Sequence, residues 1–99
     1  MAAQFDLCRT PGGVLVVVLQ ADLLDGLRTR VVAPLVPAAS VGRVLPSLNP
    51  VVTVGETAYL VMPQLAATLT LAELGETVGS LAMMRDPIIR ALDALLSGV

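Results

Sequence analysis

The chain of 99 residues has no histidine, no lysine and no tryptophan, one cysteine, and two aromatic residues, Phe5 and Tyr59. Each absence removes a class of chemistry. Without histidine there is no ordinary neutral-pH base and no Ser-His or Cys-His dyad. One cysteine and no histidine exclude the usual zinc sites, and Cys8 alone excludes an internal disulfide. It falls in an alternating stretch, so it reads as a small buried hydrophobe rather than a reactive thiol. The six basic residues are all Arg, and with eight carboxylates the net charge is −2. Non-specific binding to nucleic acid needs a basic field, which this balance does not supply. No G-x-x-x-x-G-K phosphate cradle is present. No apolar run approaches the ~20 residues of a membrane span: the longest, Val14 to Leu19, is strand-length, and Pro34 and Pro37 interrupt the stretch from Val31 to Gly42. No basic start precedes an apolar block, so no signal peptide is expected. The reading is a soluble, cytoplasmic protein needing no cofactor.

What is present is aliphatic. Hydrophobic residues make up 56% and charged residues 14%, against about 45–50% and about 25% in an ordinary domain. A domain of this size buries only about two-thirds of the surface of its unfolded chain. The surplus of Val and Leu predicts a second covered surface, most simply that of a two-fold homodimer.

The order of elements follows from periodicity. Gln4–Cys8 alternates, Gly13–Gln20 is β-branched, and "RTPGG" between them is a turn, which makes a hairpin. Ala21–Gly26, "ADLLDG", is a loop with an Asp on each side of a Leu pair. Arg28–Val36 reads as a strand, with Pro34 expected at an edge or bulge. Ala38–Leu45 is a helical turn or irregular link. Pro50–Met62 is a second hairpin turning at Gly55-Glu56. From Pro63 to Met84 the pattern blurs: "ATLTLAEL" alternates like a strand, and "LAELGETVGSLAMM" fits one or two helical turns broken by Gly75 and Gly79. Asp86 as N-cap and Pro87 at the first helical position then open a helix, with Ile88, Ile89, Leu92, Leu95 and Leu96 on one face. Asp86 and Arg90 form an i,i+4 pair. Five or so strands before one C-terminal helix give a single mainly-β domain over residues 1–99, an antiparallel sheet with a helix against it.

The carboxylates are scattered. Asp22 and Asp25 around Leu23-Leu24, and Glu73 with Glu76, read first as solvated residues. Arg28 and Arg30 alternate on one strand face, where they meet an acidic partner or keep an edge soluble. No catalytic constellation emerges, and the expectation is a protein that acts by contact and is not an enzyme.

Three stretches, "VLQADLLDGLRTRVVAPL" (Val18–Leu35), "NPVVTVGETAYLVM" (Asn49–Met62) and "IIRALDALLSGV" (Ile88–Val99), together with Gln4-Phe5, resemble the CcdB toxins of toxin–antitoxin operons. The resemblance runs almost end to end and rests on segment order rather than on one signature. It implies a small, strongly bent, barrel-like antiparallel sheet (Src-homology-3-like, of the CcdB, Kid and MazF type) with a C-terminal helix, and a symmetric homodimer. It implies poisoning of DNA gyrase, by protein–protein contact on its breakage–reunion component (gyrase A), and a role in plasmid maintenance. The implied partner is a CcdA-like antitoxin whose disordered segment folds on binding, and operator DNA is met only through that antitoxin. The gyrase-contacting end maps onto Ser97, Gly98 and Val99, with Leu23 and Leu24 as a further contact. Asp93 and Leu96 map onto antitoxin contacts. Two plainer readings stand beside these: Gly98 as an ordinary helix terminator, and Leu23-Leu24 as core. Toxic members of the family carry tryptophan where this chain has Ser97. Losing such an anchor costs about 2–4 kcal/mol of binding, roughly 30- to 1,000-fold. The chain is therefore a poison of a gyrase whose surface has changed to match, a relative that keeps the fold and the antitoxin and has lost the poisoning, or a protein with another target. Related barrel toxins also include endoribonucleases that use Arg and a carboxylate, which points to Arg28, Arg30 and Asp25 as the residues of that alternative.

Overall fold

The first hairpin pairs β1 (Asp6–Arg9) with β2 (Leu15–Val18), Cys8 lying opposite Val16. The computed structural model describes residues 2–98. β2 is buried at all four positions, because the sheet is covered on both faces and neither side of the strand meets water. A turn of 3₁₀ helix over Asp22–Leu24 leads to β3 (Thr29–Pro37). β4 (Val51–Val54) and β5 (Thr57–Val61) form the second hairpin. Its turn has Gly55 at φ 62° in the first central position, the geometry that a II′ turn requires. β6 (Ala67–Thr70) runs into a single helical turn, α1 (Leu71–Leu74), then β7 (Glu76–Ser80) and α2 (Arg85–Ser97).

All pairings are antiparallel, in the order β4-β5-β3-β2-β1-β7, with β6 also on β3. β3 bends the sheet. Its first half, Thr29–Val32, pairs with β6, and its last three residues pair with β5. Pro34 sits at this change of partner, inside a central strand and not at the expected edge. Its carbonyl accepts from Met62 N–H at 2.9 Å, and its missing N–H falls in the gap between β6 and β5. The result is a curled, half-barrel sheet closed on one side by α2.

One face carries Phe5, Leu7, Leu15, Val17, Leu35 and Val61, with Ile88 of α2 packed over it. The other carries Cys8, Val16, Val18 and Val32, covered by Leu74 of α1 and Leu69 of β6. Cys8 is the buried hydrophobe that its pattern predicted; burial pushes its thiol pKa up, outweighing a contact with Thr77 Oγ1 at 3.7 Å.

Three expectations are corrected. Residues 76–80 are a strand, not a helical turn. Gly75, at φ 78°, serves a close crossing in which a Cβ would lie 2.0 Å from the carbonyl oxygen of Arg9. The last helix begins at Arg85, with Met84 before it and no side-chain cap. A 3₁₀ turn over Ala82–Met84 feeds it directly, so Asp86 and Pro87 lie inside its first turn. Asp86 pairs with Arg85 at 3.5 Å and not with Arg90. Among the described residues no helix is long and apolar enough to cross a membrane.

Candidate contact surface

The apolar stripe of α2 outruns the sheet it covers. Ile88 and Ala91 are fully buried, and Ile89 and Leu92 pack against the core. One turn further on, Leu95 is 39% and Leu96 80% exposed. The loop between β2 and β3 stands beside this overhang. Its residues 21–28 are all exposed, and Leu23 is 93% exposed. Leu23 and Leu24 are therefore not core, which settles one of the two readings of that pair.

Loop, helix end and sheet enclose an apolar groove of about 520 Å³, whose walls include Leu24, Leu27, Leu92, Leu95 and Leu96 and whose floor includes Val31 and Thr68. Leu24, Leu27, Leu95 and Leu96 around this groove are half-exposed to largely exposed, so its lining is apolar and open to solvent. The groove joins Leu24 and Leu96, which the resemblance assigns to different partners. Asp93 and Ser97 lie on the outward row of the helix, both exposed. The Ser97 hydroxyl donates to the Asp93 carbonyl at 2.8 Å, so its polar group is already satisfied within the helix. Gly98 has a left-handed φ of 73°, and its N–H donates to the Ala94 carbonyl at 3.1 Å. That is the terminator geometry of the plainer reading. Gly98 also lines a second cleft of about 560 Å³ with Pro46, Pro50, Pro87 and Arg90, so the helix tail separates two concavities. Val99 lies outside the described residues.

The residues named for RNA cleavage do not converge. Arg28 precedes β3 and is exposed. Arg30, expected on the same solvent-facing side, is 1% exposed, which corrects that reading. Its guanidinium donates to the carbonyl oxygens of Ala2, Asp25, Leu27 and Thr29. Asp25 meets Arg30 through its backbone carbonyl at 3.1 Å, not its carboxylate. Among the described residues no three His, Cys, Asp or Glu stand together in a metal-binding group. Leu27, Leu92 and Leu95 are the groove residues that sequence reasoning missed. Leu92 and Leu95 carried the helical period and read as core, while Leu27 is a third Leu in a loop already marked by two.

The model of the family described as CcdB protein matches residues 4–98. Among curated proteins none matches the chain. An endoribonuclease in complex with its cognate antitoxin, from a mycobacterial species, superposes with a TM-score of 0.78 at 17% identity, over 97% of this chain and 95% of that one. An endoribonuclease from a mycobacterial species gives 0.74 at 20% identity, over 96% and 90%. Identities this low establish a shared fold. The match over nearly the whole chain establishes the family: this protein belongs to the CcdB family of toxin–antitoxin toxins.

Proposed function

We propose that this chain is the toxin of a type II toxin–antitoxin pair, acting in the cytoplasm as a homodimer by protein–protein contact on gyrase A. The observation that carries the reading is the apolar end of the molecule. Leu24, Leu27, Leu95 and Leu96 are held exposed around one groove, where packing them inward would have stabilised the fold. A CcdA-like antitoxin neutralises the toxin by laying an apolar segment into the same groove, and that segment folds as it binds. Leu24 and Leu96 line one concavity, so a segment seated there excludes gyrase and one surface serves both partners. Other exposed aliphatic residues, such as Val14, Val51 and Leu65, support the homodimer reading.

A second reading is favoured by Ser97. Its hydroxyl turns back onto the helix and offers no large side chain to a target, which fits a relative that keeps its antitoxin and has lost the poisoning. The mycobacterial neighbours named as endoribonucleases suggest an enzymatic alternative. The locked guanidinium of Arg30 and the separation of Arg28 from it weigh against that chemistry, and incubation with total RNA is expected to leave the RNA intact.

Expression in the host distinguishes the first two. Poisoning predicts growth arrest with double-strand breaks, rescued by a gyrase mutation. Normal growth at confirmed expression, converted to arrest by Ser97→Trp, identifies the second reading. Normal growth with both proteins rejects gyrase as the target.

A further inference from the structure

The loop that presents Leu23 and Leu24 buries none of its side chains in the core, and Leu24 and Leu27 are only half covered. Residues 21–28 are all exposed, and none of the three residues of its 3₁₀ turn is buried. Its internal bonds are three backbone contacts: Leu24 N–H to Ala21, Asp25 N–H to Asp22 and Leu27 N–H to Leu24, at 2.9, 3.0 and 3.1 Å. Two side-chain braces, the Asp22 carboxylate accepting from Gln4 N–H and Gln20 Nε2 donating to the Leu24 carbonyl, lie in solvent, where water competes for the same groups.

Beneath the loop lies Arg30. Nη1 donates to the carbonyls of Leu27 at 2.7 Å and Thr29 at 2.9 Å, Nη2 to Asp25 at 3.1 Å, and Nε to Ala2 at 3.2 Å. Alternate carbonyls of residues 25–29 thus turn inward around one cation, and the same cation ties the loop to the N-terminal segment. Among the described residues the one ion pair is Arg85–Asp86, so the buried charge of Arg30 is met by carbonyl dipoles alone. An apolar side chain would avoid desolvating a charge here but would leave these carbonyls without their donor. A planar fork with five donors suits carbonyls spread around it, and a lysine ammonium does not.

We propose that Arg30 is the positioning residue of the contact surface: its guanidinium, bound to four backbone carbonyls, sets the shape in which the 21–28 loop presents Leu23, Leu24 and Leu27. The consequence for binding rests on the reading that this loop meets a partner. The shape itself does not.

Amide hydrogen exchange on free Arg30→Lys tests the shape. Amides of Leu24, Asp25 and Leu27 are expected to exchange at least tenfold faster than in the wild type, with those of Leu60, Val61, Ala91 and Leu92 within twofold. Unchanged loop amides, or a uniform acceleration across the chain, would overturn the proposal. Binding to purified gyrase A tests the consequence. Leu24→Ala is expected to cost about tenfold in the wild-type background and under threefold in Arg30→Lys, since a misplaced Leu24 has little left to lose. Equal costs in both backgrounds would also overturn it. Should the wild type not bind gyrase A, the target reading falls, and the exchange pattern alone decides on Arg30. Should Arg30→Lys fail to fold, side-chain NMR of the wild type decides: an Arg30 Nε–H exchanging as fast as those of the exposed Arg28 and Arg90 contradicts the clamp, and one at least tenfold slower supports it.

Discussion

Two irregular links cross the surface of this protein, and each is fastened by one buried polar side chain. Residues 21–28 are fastened by Arg30 and residues 41–50 by Asn49, 4% exposed. The two fastenings differ in what they join. Asn49 Nδ2 donates to the carbonyl of Val61 at 3.2 Å and to Gln64 Oε1 at 3.0 Å, while its carbonyl accepts from Leu45 N–H at 3.4 Å. Its link is stitched to the end of β5 and so to the sheet. Arg30 stands in β3 and ties the loop's carbonyls to that strand and to the N-terminal segment, while the loop's apolar side chains stay clear of the core. A neutral amide closes a gap in the scaffold, whereas a charged fork gives form to a segment whose apolar side chains stay in water. The second arrangement costs desolvation and keeps leucines exposed, which is the pattern expected of a surface kept for binding.

The difference between the two links is largest at Arg30. Arg30→Met is expected to lower unfolding free energy by about 3 kcal/mol, because several carbonyls lose a charged donor at once; urea denaturation measures it. Asn49→Leu is expected to cost about 2 kcal/mol, the penalty of leaving the Val61 carbonyl buried without its donor. The same denaturation series reads it, and binding of gyrase A is expected to stay unchanged. A loss larger than that of Arg30→Met would reverse the ranking of the two links.

A third link, α1, extends the contrast because its fastening is solvent-exposed. Thr70 and Glu73 form a capping box, Thr70 N–H donating to Glu73 Oε1 at 2.8 Å and Glu73 N–H to Thr70 Oγ1 at 3.2 Å. Thr70→Ala is expected to cost about 1 kcal/mol, below both buried fastenings. The smallest effect is a pH dependence. The Thr70 backbone N–H, and then its hydroxyl, hold the Glu73 carboxyl below the usual carboxylate range. Its contribution is therefore full above the ordinary glutamate pKa and is lost as pH falls through the lowered one. Wild type and Glu73→Gln should differ in urea midpoint at neutral pH and converge on acidification.

What the sequence made legible follows from which residues leave a pattern. The second hairpin was readable because two β-branched runs flank Gly55, and the last helix because five apolar residues keep its period. β7 left no pattern: all five of its residues are exposed, so there is no alternation to see, and Gly75 and Gly79 imitate helix breakers. Arg30 was misread for a related reason. A buried arginine satisfied by backbone carbonyls has no partner residue in the sequence, so with Arg28 it looks like a solvated pair. The groove was half legible. Leu24 and Leu96 came through the resemblance, whereas Leu92 and Leu95 kept the core's period to a point where the sheet no longer reaches them.

If the leucine-lined end is a protein-binding surface, charge placed on it must abolish binding without disturbing the fold. Titration calorimetry of the wild type, Leu24→Asp and Leu96→Asp against purified gyrase A tests this most directly. Both substitutions lie at exposed positions and should leave the urea midpoint unchanged. Measurable binding by the wild type is expected, with at least a hundredfold loss for either aspartate. No binding by the wild type would contradict gyrase A as the target, and binding that neither aspartate weakens would contradict a binding role for this end of the molecule.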